Sequence, residues 1–513
     1  MRIHALLPCL LLIAAVQLDA QAPARGDTTI KGRTYGLIAA PELLAALRRA
    51  PAGTALEYRD KVVRGPLFAP TAQLDTVRAR LLFADVVFLG EVALNNIVFA
   101  ANVRVENTEF RGGLSALKAH FAGDLDLVQS ASRKHTSFKQ TTFAGRADFS
   151  GSTFAQTTSF IEAHFAAVAF AHARFAAGVY FERAHFGADA DFRDAFFEDI
   201  ANFKNTRWRG DVTFAGARFV QRTRFWQARF DAALDFDNAR SRGEISFNQA
   251  VFSGPATFRH ITFVHPARFA HAVFRQPVTF ADSRFKKAAE FTGARFHAAL
   301  DLNAYFKSTL DLRHSRGPRL DLLPPAGERA IVNPDSTLTD TARVYLQRAD
   351  FTHLLFRWSQ LAGRLASDDT TGRDLEPVYA RLRHQLQARG LTADARSCFA
   401  AGMEQRRRAL GWTAPEWYGL QLWRLTTAYG TDLGRLGLFA ADCVLAFALL
   451  YRLVPGQPVS LGACLYYSVL TFLRTVPPTA DATGGLARLL AALQTLLGWL
   501  CLGLFLATLL GPR

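Results

Sequence analysis

The side chains with the most chemical potential in this chain are scattered rather than clustered. Its five cysteines, Cys9, Cys398, Cys443, Cys464 and Cys501, form no CxxC pair, and none stands at metal-ligand spacing from a histidine. Neither a structural zinc nor a disulfide is expected from them. Histidines such as His164, His185, His260 and His271 fall on outward positions of a repeat, and no HExxH, nucleophile elbow or phosphate loop occurs. No catalytic residue and no cofactor are expected, and the chain is not read as an enzyme. The acidic stretch from Asp368 to Asp374 lacks the spacing of a calcium loop and reads as a solvated linker. The carboxylate in the most unusual place is Asp442, inside an apolar run, where an ionised group costs on the order of 2.5–3.5 kcal/mol at mid-helix. Snorkelling, pairing with Arg488, or a role in gating or ion binding are the readings open to it.

The elements that would position these residues follow from length and periodicity. At 513 residues the chain is too long for one compact core. Phenylalanine dominates the aromatics, 43 against 11 tyrosines and 7 tryptophans, a bias that signals repetition. The formal charge of +16 suits anionic partners such as lipid head groups or nucleic acid, or equally a large solvated arginine-rich surface. Residues 1–20 read as a secretory signal: Arg2 supplies the charge, Leu6 to Val16 the apolar run, and Leu18-Asp19-Ala20 a cleavage site. Residues 21–76 form a cap region, in which Pro41 to Arg49 reads as a capping helix with Leu43, Leu44 and Leu47 on one face.

From residue 77 to 323 a spine residue recurs at alternating spacings of five and six. Phe149, Phe160, Phe186, Phe197, Phe219, Phe258 and Phe280 belong to it, and a small or β-branched residue stands two before each spine position. At the far end the beat tightens to ten, and Pro324-Pro325 then stops it. A period of five or six is neither helical nor simple strand alternation, so short strands joined by tight turns are needed. Each unit buries too little by itself and must stack on its neighbours. Ala147-Asp148-Phe149 and Ala190-Asp191-Phe192 match the core tripeptide of pentapeptide-repeat proteins, which this half of the chain resembles. The resemblance implies a mainly-β fold, a right-handed quadrilateral β-helix of about eleven coils. Some solenoids of this class imitate DNA, which needs an acidic surface; here arginines such as Arg207, Arg209, Arg218 and Arg222 point outward. The leader argues against nucleic acid as a partner.

After a linker at 324–374, residues 375–433 read as a helical stalk. Leu375, Val378, Tyr379, Leu382 and Leu386 recur at helical spacing, Gly390 ends that helix and Thr392 caps the next. Trp412, Trp417, Tyr418 and Trp423 beside Arg424 suit a membrane interface. Residues 434–513 hold two segments long enough to cross a bilayer, about Gly434 to Val454 and about Leu486 to Leu510, with a shorter apolar helix between them.

Span, short helix, loop and span is the plan of a two-helix pore. Leu465 to Phe472 resembles the pore helix of the potassium-channel family, and Leu486 to Gly498 resembles the start of its inner helix. Tyr429-Gly430 ahead of the first span is similar to bacterial proteins that join secreted pentapeptide repeats to such a pore. The resemblance implies a homo-tetramer and a hinge at Gly498 or Gly503. Where that family has a Thr-x-Gly-Tyr-Gly filter, this chain has Thr471, Phe472, Leu473, Arg474, Thr475, Val476, Pro477 and Pro478. Both glycines are absent, Pro fixes φ near −65°, and four Arg474 side chains would oppose K⁺. Selective potassium conduction is not expected, leaving a pore-like anchor that is non-conducting or weakly anion-permeable. A cleaved leader would place the repeats outside the cytoplasm of a bacterial inner-membrane protein, with Arg452, Arg474 and Arg488 in or beside the inner loop. Two readings follow. One is a channel-like membrane protein with an extracytoplasmic solenoid; the other is a non-conducting scaffold that binds a protein partner on its β-helix. Lipids, ions and further copies of the chain are the expected partners.

Overall fold

The computed structural model describes residues 27–30, 32–68, 74–323, 338–454, 460–473 and 485–510. The expected leader and Arg474 to Pro478 lie outside these residues. The chain divides into two compact units, 1–356 and 357–513.

In the first unit the eleven-residue beat becomes half a coil. Strands of mostly two residues pair in parallel with strands one coil on, usually 22 residues away, as Val98 with His120 and Phe99 with Phe121. Four spine residues therefore mark four sides. Phe143, Phe149, Phe154 and Phe160 stack on Phe165, Phe170, Phe175 and Phe181, with ring centroids 4.8, 4.8, 5.1 and 4.8 Å apart. Rings from different sides meet edge to face inside the coil, as Phe149 and Phe160 do at 5.5 Å and 74°. The small residues two before the spine, Ala147, Ala163, Ala184 and Ala294, are fully buried, so both inward positions read from the repeat are filled as expected.

The turns explain the beat's polar residues. Nearly every eleventh position takes a left-handed backbone, including Gln129, Gln140, Gly151 and Glu162. At one of them Ser152 N donates to Phe149 O at 3.2 Å around Gly151, φ +67°, which is the positive-φ position of a type II turn. After Phe165 the next spine residue follows at five where six is due, and this lost residue appears as a register shift between Phe143 and Arg146 in the pairing with the next coil. At the far end the coil shortens, with Leu300 pairing Leu320.

The solenoid is longer than its spine suggested, at about 13 turns rather than eleven. Ala55–Arg59, Lys61–Arg64 and Leu67–Phe68 already form a coil beneath Arg80–Ala84, Val87–Phe88 and Val92–Ala93, inside the region read as a cap. Its inward residues are Val62, Val63 and Leu67 rather than phenylalanines, which hid it. Helix α1 (Ala40–Arg49) does cap this end, burying Ala40, Leu43 and Leu47. The expected stop at residue 323 also needs correction. Arg343–Tyr345 pairs with Thr309–Asp311, and Asp350–Leu355 pairs with Arg316–Asp321, inside the stretch read as linker. Leu320 and its partner Leu354 are 34 residues apart, so the beat is lost although the coil is formed.

The second unit is helical: α2 (Trp358–Leu361), α3 (Glu376–Ala388), α4 (Thr392–Ala409), α5 (Pro415–Thr427), α6 (Leu433–Leu453), α7 (Leu461–Phe472) and α8 (Gly485–Leu510). Helix α3 buries Val378, Leu382 and Leu386, as its spacing predicted. Gly390 takes φ +73° between α3 and α4. Leu391 rather than Thr392 is the N-cap of α4, and no side chain caps it.

Candidate membrane module

Helices α6 and α8 are long and apolar enough to cross a membrane, by length and composition. At 1.5 Å per residue their 21 and 26 residues reach about 31 and 39 Å, against a hydrocarbon core of about 30 Å. Helix α7, with 12 residues, reaches only about 18 Å. Asp432 begins α6 as an N-cap, its side chain accepting from Arg435 N at 3.2 Å.

Polar side chains, not only apolar ones, join these helices. Tyr451 Oη on α6 donates to Gln494 Oε1 on α8 at 2.8 Å. Gln494 Nε2 donates to Ser468 O at 3.0 Å and to Ser468 Oγ at 2.5 Å on α7. Ser468 Oγ in turn donates to Val444 O on α6 at 2.7 Å. Tyr451, Ser468 and Gln494 are all buried, so a three-helix clamp is satisfied inside an apolar bundle. Ala448, Tyr451 and Cys464 pack around it with Phe447, Leu465, Tyr467 and Leu490. Sequence reasoning missed this clamp. Its signal was Gln494, an amide in the middle of an apolar span, where a polar side chain needs a partner.

The residues singled out from sequence separate here. Thr471 Oγ1 donates back to Tyr467 O at 2.9 Å, closing the last turn of α7, and Thr471 O lies 3.4 Å from Thr495 Oγ1 of α8. Leu473 is exposed just beyond α7. Gly498 lies against the end of α7: a Cβ there would stand 2.2 Å from Phe472 O. Gly503 has nothing within 4 Å of such an atom. Close helix approach gives the first glycine a packing role. Asp442 is exposed on α6 and makes no ion pair with Arg488. The end of α6 that packs on the start of α8, through Val454 and Ala487, is twelve residues from Asp442, about 18 Å along the helix. The two charges therefore sit at different depths.

Ahead of the two candidate spans, Glu404 of α4 gathers the stalk. It accepts from Arg407 at 2.8 Å, from Arg408 at 2.9 Å and from Tyr429 Oη at 2.7 Å. The hydrogen bond from Arg407 does most to hold its carboxyl down at about 2, against the opposing effect of burial. Burial, and next the bond to Glu404, push Tyr429 up to about 12. Ala428, Tyr429 and Gly430, between α5 and α6, are all left-handed. On α5 the side chains of Tyr418, Leu422 and Leu425 form an exposed stripe at i, i+4 and i+7, and Trp412 just before the helix is 72 % exposed.

The model of the family described as Pentapeptide repeats (9 copies) matches residues 138–185, 181–229 and 225–273. Among the curated proteins and the solved structures, nothing matches this chain. The matched residues coincide with the most regular aromatic coils, where the spine is almost unbroken phenylalanine. This chain therefore carries pentapeptide repeats folded as a β-solenoid, followed by helices that include two apolar candidate spans.

Proposed function

We propose that the protein is a membrane-anchored pentapeptide-repeat solenoid whose last two spans and intervening short helix form a channel-like, oligomeric module. The observation that carries this reading is the clamp of Tyr451, Ser468 and Gln494, which holds a helix too short to cross the bilayer between two that are long enough. Irregular backbone at membrane depth is tolerated where it is enclosed by protein or lines a water-filled path. The exposed stripe of α5 suits an interfacial helix.

Oligomerisation is supported by Asp442. It lies on an exposed face of α6 with Leu438, Leu445 and Leu449. A carboxylate turned to lipid is costly, and a second copy of the chain, or water in a shared path, relieves that cost. The segment from Thr471 to Pro478 lacks the glycines of a potassium filter, so the module does not select K⁺. In this reading the repeats lie outside the cytoplasm, no cofactor is used and no reaction is catalysed.

Reconstitution of the purified chain into planar bilayers tests the proposal. Expected are unitary currents without preference for K⁺ over Na⁺, altered in Asp442→Asn. Silence under every ion gradient, with the protein demonstrably inserted, favours the second reading: a non-conducting anchor that displays the solenoid to a protein partner. The tight Gly498–Phe472 approach is the observation on its side.

A further inference from the structure

One side of the solenoid changes its charge along the axis. It is the side of Phe110, Phe154, Phe175, Phe197 and Phe219, whose strands pair in one continuous sheet. In its earlier coils carboxylates on the same side offset most of the outward positive charge. Arg111 and Arg133 both reach Glu109, at 3.1 and 2.6 Å, and Arg174 reaches Glu198.

From Arg218 onward that balance ends. The strands and the two residues after each, 218–221, 240–243, 262–265, 284–287 and 305–308, contain no Asp or Glu. They carry Arg218, Arg240 with Arg242, Arg284 with Lys286 and Lys287, and Lys307, all exposed. None of these has an ion-pair partner among the described residues. The nearby Glu244 and Glu290 lie towards the next side and are engaged by Arg222 and Arg268. Arg218 stands directly opposite Arg240 across adjacent strands, a like-charge placement that works against the fold. A repeat that elsewhere alternates Thr with charge at the same outward position, as at Thr153 and Thr262, has no packing need for these arginines.

We propose that this face binds the headgroup phosphates of an anionic bilayer. With strands 4.7–4.9 Å apart, the five coils lay out a flat field of charge about 19 Å long and two to three columns wide. A planar array of phosphates meets all columns together, whereas a cylindrical duplex touches a flat face along one line. Choosing lipid among polyanions rests on the anchoring proposed above, because a chain held at a membrane meets headgroups at high effective concentration. Basic residues near an anionic surface each add to binding, and the attraction dies away within a Debye length of about 8 Å at physiological salt.

The test uses the full chain in phosphatidylcholine nanodiscs, floated with vesicles of phosphatidylcholine alone or with added phosphatidylglycerol. Flotation with the anionic vesicles only, weakening as salt rises, is expected. The triple variant Arg240→Thr, Arg242→Thr, Arg284→Thr should bind roughly a hundredfold more weakly, while Arg174→Thr, which removes an arginine paired with Glu198, should bind as the parent does. Unchanged thermal unfolding of the triple variant shows that its coils remain formed. Equal flotation with both vesicles, none with either, or full binding by the triple variant overturns the proposal. Tighter binding of duplex DNA than of anionic vesicles at equal phosphate also overturns it, assigning the face to nucleic acid. Failure of the chain to enter the discs overturns the anchoring reading alone; the same vesicles then read the face on the chain purified without discs.

Discussion

Glu404 shows how one residue can organise a junction. Three donors from two stretches of chain converge on its carboxylate, and Tyr429 reaches it from a left-handed backbone. A left-handed non-glycine residue costs about 1–2 kcal/mol, so the bond to Glu404 helps to hold Tyr429 in a conformation it would not choose. Because the carboxyl titrates at about 2 in the folded chain and near 4.3 when unfolded, the ionised form favours folding. That contribution is complete above about pH 4.3 and is lost as pH falls towards 2. Glu404→Gln should lower the stability of the helical unit by about 1–2 kcal/mol at pH 7. The gap between variant and parent should close near pH 2. Urea unfolding followed by circular dichroism at pH 7 and at pH 2.5 measures both, and an equal gap at the two values refutes the assignment.

At the scale of elements, Gly498 and Gly503 of α8 make a direct contrast. Each is a glycine in an apolar helix, and sequence gave no ground for separating them. Gly498→Ala would bring a methyl group to 2.2 Å from Phe472 O and force α8 away from α7. A loss of about 1–3 kcal/mol is expected, as for other overpacked contacts. Gly503→Ala meets open space and should be neutral or stabilising by about 0.5–1 kcal/mol through helix propensity. Thermal unfolding in detergent distinguishes them, and equal effects would remove the packing role given to Gly498. The lengths of α6, α7 and α8 were legible in sequence because apolar runs declare themselves. The clamp was not, because Tyr451, Ser468 and Gln494 are far apart in the chain and become partners only once the three helices pack.

For the molecule as a whole, the solenoid is one-dimensional, each coil touching only those above and below. Phe192 stacks on Phe170 and Phe214 at 4.9 and 4.7 Å and meets Phe181 and Phe203 edge on. Phe192→Ala should cost about 3–5 kcal/mol, felt locally. Amide hydrogen exchange should rise in the coils around residues 170–214 and stay unchanged near residues 80–110. A uniform rise along the solenoid would show instead a single cooperative block.

Periodicity alone determined that this chain is a phenylalanine-spined β-solenoid followed by long apolar helices. A strict beat leaves one way to bury every aromatic ring, and a long apolar run leaves few ways to avoid water. Tertiary structure decided where the solenoid ends, because the first coil turns its one phenylalanine, Phe68, outward and the last follows an insertion; pairing with a formed neighbour recruits both. It also decided that Asp442 and Arg488 stand apart and that no carboxylate reaches Arg218, Arg240, Arg242, Arg284, Lys286, Lys287 or Lys307 among the described residues. Those facts depend on how the helices pack and on which side chains reach one another across coils, and neither is written in spacing along the chain.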